Sequence, residues 1–476
     1  MLEIVLASYL YDLLRRTLEE LLDYWIVELL QDLNAIRQTQ QLNTATILLA
    51  FREAANRKPT KILLTTPMLD LPFVRSHFPG LQSDWAFMDN AGGSFVAKPI
   101  ADRIHEFLLS SPVQHGASYP LSQLAVERVQ QGSAAMMRYV NAEHPEEIVM
   151  GGSTSLLIRI LSLCISQQWQ AGDEIIVSHS DHEANVSPWM DLERLGFTVR
   201  IWRTNPDSLR FELDELSKLM NEKTRLVAVT HCSNILGTLN PVREIADFVH
   251  ARDALICVDG VAHAPHRMVD VQALDVDFYI FSYYKVYGPH YALMYGRRDL
   301  LVEMSGINHY FITGPDSPYK FQPGNVNFEF AYGMLGLIDY LEALFERHTA
   351  SPNDLPDRQR WEQVFEMISA HEEALASPLI DFLNEHPNTR IIGEAKADRQ
   401  LRVPTISFAH QQRDSKSIVD AVDEHKIAIR YGDFYAKKLI QDLGLDVQNG
   451  VVRVSLVHYN THEEVQRLLN ALERII

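Results

Sequence analysis

Lys285 stands in the run Phe281-Ser282-Tyr283-Tyr284-Lys285-Val286-Tyr287-Gly288-Pro289-His290, at the end of an apolar stretch and among aromatic rings and a hydroxyl. Such surroundings desolvate the amine, lower its pKa and free it to attack a carbonyl. Upstream, Leu255-Ile256-Cys257-Val258-Asp259-Gly260 has the pattern of a buried strand that ends in a carboxylate. A lysine that forms a Schiff base and an acid that faces a pyridinium nitrogen are the two groups that pyridoxal phosphate (PLP) requires of its protein. Taken singly, Lys285 reads as a snorkelling surface lysine and Asp259 as a strand-end cap. In this order, with the groups below, the pair reads as a cofactor site.

Three further segments supply matching chemistry. Gly151-Gly152-Ser153-Thr154-Ser155 follows apolar Ile148-Val149-Met150 and opens a helix, so its backbone N–H groups and hydroxyls suit a phosphate. Capping alone explains such hydroxyls in most proteins. Asp181-His182-Glu183-Ala184-Asn185 follows a strand, where His182 could stack on a pyridine ring and assist proton transfer; a lone surface histidine is the default. Ser233-Asn234 ends another strand and offers an amide to a phenolic oxygen, with a turn asparagine as the plain alternative.

The elements that must position these groups alternate between strand and helix from about residue 68, which implies a mostly parallel sheet. Strands are expected at Glu174–Val177, Phe197–Trp202, Leu226–Thr230, Ala254–Val258 and Phe278–Phe281, with a helix from about Val186 to Leu195. A long helix from Tyr332 to about Phe345 leads into a second α+β region that ends in an amphipathic helix over Glu463–Leu472. Residues 1–67 differ: Leu10, Leu14, Leu18, Leu21, Trp25, Leu29, Leu33 and Ile36 recur at helical spacing, and a second helix over roughly 44–56 completes a helical hairpin. The organisation expected is a helical extension (1–67), a small α+β domain (68–100 with 331–476) and a large domain (101–330).

With 476 residues, more than one domain is expected. The 43 basic and 62 acidic side chains leave a net charge of −19, which argues against nucleic acid or an anionic membrane as partner. No apolar stretch approaches the roughly 20 residues of a membrane span, and Glu3 without a basic run argues against a secretory signal. Three scattered cysteines (Cys164, Cys232, Cys257) have no metal-type spacing and suit a reducing cytosol, so a cytoplasmic location is expected.

From about residue 85 to 476 the chain resembles the class V aminotransferase family of fold type I PLP enzymes, in particular its cysteine desulfurase and selenocysteine lyase branch. The segments that carry the resemblance are Phe87-Met88-Asp89-Asn90-Ala91-Gly92-Gly93, Asp181 to Trp189, Ser233-Asn234-Ile235-Leu236-Gly237-Thr238, Val269 to Leu274, the Lys285 run, and Arg453-Val454-Ser455-Leu456-Val457-His458-Tyr459-Asn460-Thr461. The resemblance implies an α/β fold with a seven-stranded, mostly parallel sheet in the large domain. It implies Lys285 as the Schiff-base lysine, Asp259 at the pyridine nitrogen, His182 over the ring and Asn234 at the phenolic oxygen. Ser153, Thr154, Ser282 and Tyr284 fall among the phosphate ligands, with Tyr284 in place of a histidine common in desulfurases. Asn325 falls where a partner subunit contributes, which implies a homodimer. Arg453 matches the arginine that binds a substrate α-carboxylate bidentately, Arg430 a second active-site arginine, and Tyr119 and Ala91 fall beside them.

Two departures bear on the reaction. Desulfurases of this branch carry a nucleophilic cysteine after the Arg430 equivalent; here the loop reads Arg430-Tyr431-Gly432-Asp433-Phe434-Tyr435-Ala436, with Tyr435 at that position. Persulfide chemistry needs a thiolate, which tyrosine cannot supply. Cys164 and Cys257 fall in apolar elements, and Cys232, two residues before Asn234, is the one whose spacing could place it on the site. Ala262 replaces a glutamine that contacts the cofactor, with His263 and His266 close by. The expected function is a desulfurase-like C–S or C–Se lyase acting on a small α-amino acid without a persulfide cysteine. Transamination, epimerisation and a heterocycle-forming elimination use the same groups and stay open. A PLP-fold interaction module that docks through the N-terminal hairpin is disfavoured by the full set of cofactor residues.

Overall fold

Runs rich in Ile, Val and Leu form the interior of a seven-stranded sheet in the computed structural model, which describes residues 68–313, 317–349 and 355–476. In chain order the strands are β1 (Ala86–Phe87), β2 (Ile148–Gly151), β3 (Glu174–Ser178), β4 (Thr198–Trp202), β5 (Thr224–Thr230), β6 (Leu255–Asp259) and β7 (Phe278–Ser282). There follow β8 (Ala292–Gly296), β9 (Thr389–Ile391), β10 (Thr405–His410), β11 (Ile427–Ala428), β12 (Arg430–Gly432) and β13 (Val451–Ser455). The large sheet has the order β2-β8-β7-β6-β5-β3-β4, and β8 alone runs against the others, as expected of a mostly parallel fold type I sheet. Alternate residues feed two cores. Ile176, Val227, Val229, Ile256, Val258 and Phe281 pack on one face, while Ile175, Val177, Leu226, Ala228, Cys257 and Ile280 pack on the other with the Thr154–Ile165 helix.

A second, antiparallel sheet has the order β12-β13-β10-β9 and is covered by the helices Asp357–Glu385, Ser415–Asp423 and His462–Ile475 through residues such as Leu379, Ile418 and Leu468. The last helix starts at a capping box in which Thr461 and Glu464 satisfy each other's backbone N–H groups. A short parallel pair, β1 with β11, ties the segment before residue 90 to this sheet. Among the described residues no helix is long and apolar enough to cross a membrane.

Two expected helices differ from the sequence reading. Over Val186–Leu195 the chain forms a short α-turn, Ser187–Met190, and then a 3₁₀ segment that ends at Gly196 with φ 91°. A segment this short adopts the tighter form common at helix ends. The helix expected over Tyr332–Phe345 is broken at Met334 into Phe328–Gly333 and Leu335–His348. There the helix approaches the chain at Pro99–Ile100 so closely that a Cβ on Gly336 would lie 2.5 Å from that backbone. The 29-residue helix Asp357–Glu385 gives no clear signal in the sequence, because Pro378, which lies inside it, reads as a helix stop. The hairpin expected within residues 1–67 lies outside the described residues.

Gly237 closes the turn after β5 with φ +66°, and a Cβ there would lie 2.2 Å from the Thr405 carbonyl oxygen on β10. Its own carbonyl accepts from Val403 N at 2.9 Å. Gly237→Ala is expected to destabilise the protein by about 2 kcal/mol or more, from left-handed strain and overpacking against backbone. An unchanged denaturant midpoint would contradict this.

Candidate active site

The carboxyl ends of β5, β6 and β7, the start of the Thr154–Ile165 helix and the loop after β3 surround a cavity of about 490 Å³, part of it open to solvent. Parallel sheets place their binding crevices at this end. Register aligns the strand ends: Asp259 pairs with Thr230 on one side and with Ile280, two residues short of Ser282, on the other. Thr154, His182, Asn234, Asp259, Ser282, Tyr284 and Lys285 all line the cavity, with Ser153, Ser155, Ala184, Thr230, Cys232, Val261 and Ala262. The residues read from the sequence as cofactor groups are thus brought together, except Asn325.

Thr154 and Ser282 hydroxyls lie 2.7 Å apart at one end of the cavity, and Ser153 caps the helix there by accepting from Leu156 N at 3.1 Å. His182 accepts from Ala184 N at 3.0 Å through Nδ1, so a neutral ring carries its proton on Nε2. Burial, and then the nearby Lys285 charge, push His182 down to about 4. Asn234 donates to the Phe434 carbonyl at 2.8 Å, while its amide oxygen is buried with no partner. Tyr284 stacks against His290 with centroids 5.1 Å apart.

Lys285 is 6% exposed, and its amine is pushed down to about 8 by burial first and then by the Arg453 charge, against the pull of Asp259. Asp259, on the same cavity wall, is pushed up to about 6 by burial, although it accepts from Val261 N at 2.9 Å and faces the lysine charge. A second buried acid, Asp181, directly precedes His182 in the loop after β3. Its carboxyl is driven well above the usual range by burial and then by Asp259, although the Ser178 hydroxyl donates to one of its oxygens. Behind the wall, His263 stacks on His231 with centroids 3.6 Å apart and 9° between planes, and both meet the Tyr279 hydroxyl. His266 bonds to buried Glu372 at 2.9 Å, so neither of the histidines near Ala262 enters the cavity.

The second sheet carries two arginines, neither of which lines the cavity, although Arg453 is near enough for its charge to act on Lys285. Arg453 of β13 is buried, bonds Asp89 at 3.0 Å and the Asn234 carbonyl at 3.3 Å, and is pushed down to about 10 by burial. Arg430 of β12 is exposed and reaches the other oxygen of Asp89 at 3.4 Å. Asp89 was not foreseen as their shared partner; it lies 364 residues from Arg453. Ala91 is held against β13 through its N–H to Ser455 Oγ at 2.8 Å. Tyr119 is 48% exposed and does not line the cavity. Asn325 bonds Gln114 at 3.3 Å on the exterior, in the neighbourhood of the Tyr119 loop. Within one chain, then, neither residue reaches the cavity.

This donor set fits PLP. The hydroxyls and helix start suit a phosphate, Asp259 a ring nitrogen and Lys285 an aldehyde carbon, and the buried amide oxygen of Asn234 has polar capacity that no group among the described residues satisfies.

The family model for aminotransferase class-V matches residues 86–355 and 360–468. The aminotransferase-like protein FGM3 of Gibberella zeae is 40% identical over 412 residues, covering 85% of this chain and 98% of that protein. The cysteine desulfurase-like protein ustD of Aspergillus flavus is 34% identical over 420 residues, 86% of this chain and 91% of its own. Among solved structures, the cysteine desulfurase CsdA of Escherichia coli superposes with a TM-score of 0.73 at 26% identity, covering 86% of this chain and 98% of that one. The chain therefore belongs to the class V aminotransferase family and is a PLP-dependent enzyme of the cysteine desulfurase-like kind.

Proposed function

We propose that this enzyme cleaves a C–S or C–Se bond of a small α-amino acid and releases the product directly, without a persulfide relay. The observation that carries the reading is the thiol inventory. In this reading Tyr435 takes the loop position of a desulfurase's nucleophile; it is 68% exposed, with its ring 5.1 Å from that of His182. All three cysteines are buried: Cys164 is pushed up to about 11, Cys232 to about 12 and Cys257 well above the usual thiol value. Burial is the main cause in each. Cys232 does line the cavity, but its sulfur rests on the Gly237 carbonyl at 3.4 Å and stays protonated at neutral pH.

When bound, PLP supplies an electron sink for a carbanion at the substrate's Cα. In this reading Ser153, Thr154, Ser282 and Tyr284 hold its phosphate. Asp259 keeps its ring nitrogen protonated, His182 covers the ring and Asn234 reaches the phenolic oxygen. Arg453 binds the substrate's α-carboxylate, with Arg430 and Ala91 at the rim. Lys285, its amine largely poised between free base and acid near neutral pH, removes the Cα proton. The β-substituent then leaves with the bonding electron pair as sulfide or selenide, and hydrolysis of the remainder gives a 2-keto acid and ammonia. The same reading makes the protein a cytosolic homodimer. The exterior position of Asn325, beside Gln114 and away from the cavity of its own chain, supports the dimer.

With L-cysteine, sulfide, pyruvate and ammonia should appear in equal amounts, and Cys232→Ala should retain activity within about twofold of the parent. A cofactor-dependent persulfide trapped on Cys232, or loss of sulfide release in that variant, would overturn the proposal. So would keto acid formed without sulfide.

The lowered pKa of Lys285 gives a second test. A protonated amine cannot attack an aldehyde, so cofactor uptake by the apoprotein should be slow at low pH and rise through about 8. At pH 7 about a tenth of such amines are free, against less than a thousandth of ordinary lysines. A midpoint above 10, followed by cofactor absorbance, would show that Lys285 is not desolvated.

A further inference from the structure

We propose that Phe434 is a positioning residue that acts through Arg453 to preset the grip on a substrate carboxylate; this rests on the carboxylate-binding role proposed above for Arg453. The guanidinium carbon of Arg453 lies 3.7 Å from the centroid of the Phe434 ring, a contact close enough to be stacked. The same guanidinium is held at its edges by the Asn234 carbonyl at 3.3 Å and Asp89 at 3.0 Å, and its Nε is buried with no partner. Two polar contacts fix the edges of the plane but do not stop it from tilting. The ring closes one face and removes that freedom.

The chain accepts backbone strain to place this ring. Phe434 and Tyr435 are consecutive non-glycine residues in the left-handed region, with φ 49° and 61°. Such residues are strained and persist only when their surroundings hold them. Here Asn234 donates to the Phe434 carbonyl at 2.8 Å, Glu183 N donates to the Tyr435 carbonyl at 2.8 Å, and Lys438 pairs with Glu183 at 3.1 Å. Phe434 also packs against the cluster that contains Ile235, Leu236 and Leu439. Asn234 therefore grips both partners, its carbonyl on Arg453 and its amide on the Phe434 backbone. A cation held in plane before binding gives up less freedom when a carboxylate arrives.

The test compares two amines that differ in the carboxylate, L-alanine and ethylamine, titrated against the PLP-loaded enzyme and read from the cofactor's visible absorbance. Phe434→Ala should weaken L-alanine about tenfold, within the range of a desolvated cation–ring contact, and leave ethylamine and cofactor content unchanged. Phe434→Tyr, which keeps the ring, should restore the affinity. Equal weakening of both amines, or loss of cofactor, would mean a merely structural role and overturn the inference, as would an unchanged affinity for L-alanine. Arg453→Lys separates the two claims. If it weakens L-alanine while Phe434→Ala does not, the inference alone fails; if neither does, the carboxylate role of Arg453 fails with it.

Discussion

An amine and a carboxylate buried together at the carboxyl ends of adjoining parallel strands govern this structure. Neither Lys285 nor Asp259 is more than 6% exposed, and burial drives both toward neutrality, to about 8 and about 6. Around them the same force raises Asp181, lowers His182 to about 4 and weakens the hold of Arg453 on its proton. Water would erase these shifts, so the fold must exclude it while leaving a cavity. The two cores on either face of the large sheet do the first, and the aligned ends of β5, β6 and β7 do the second.

The two arginines come from elsewhere in the fold. Arg453 and Arg430 lie on neighbouring strands of the small sheet, and Asp89 follows β1, which pairs with β11 of the same region. One carboxylate thus partly neutralises two guanidiniums. A Cβ on Gly92 would lie 2.8 Å from Asp89 and 3.0 Å from Arg430, so the absence of a side chain there is part of the arrangement. The charge sharing fixes the arginines without filling the lysine end of the site.

Much of the site was legible because its groups terminate periodic apolar runs. Asp259, Ser282 and Lys285 each end or follow a strand whose pattern is plain, and Thr154 opens a helix after one. What stayed hidden depends on approach between distant segments. Asp89 meets Arg453 because it forms a parallel bridge to Ser455 at the end of β13, and the Phe434 stack depends on two left-handed residues that carry no glycine to announce them. Asp181 was masked by its polar neighbours in the Asp181-His182-Glu183 run, where a buried acid looks like a loop acid. The break at Met334 arises from a close helix approach, a tertiary demand that local periodicity does not register.

The central claim is that Lys285 holds the cofactor. Borohydride reduction of the PLP-loaded enzyme, followed by peptide mapping, tests it most directly. The account predicts a phosphopyridoxyl group on Lys285 alone, and none on a Lys285→Ala protein that still retains cofactor. A reduced adduct at another lysine, or a cofactor linkage that survives in Lys285→Ala, would contradict it.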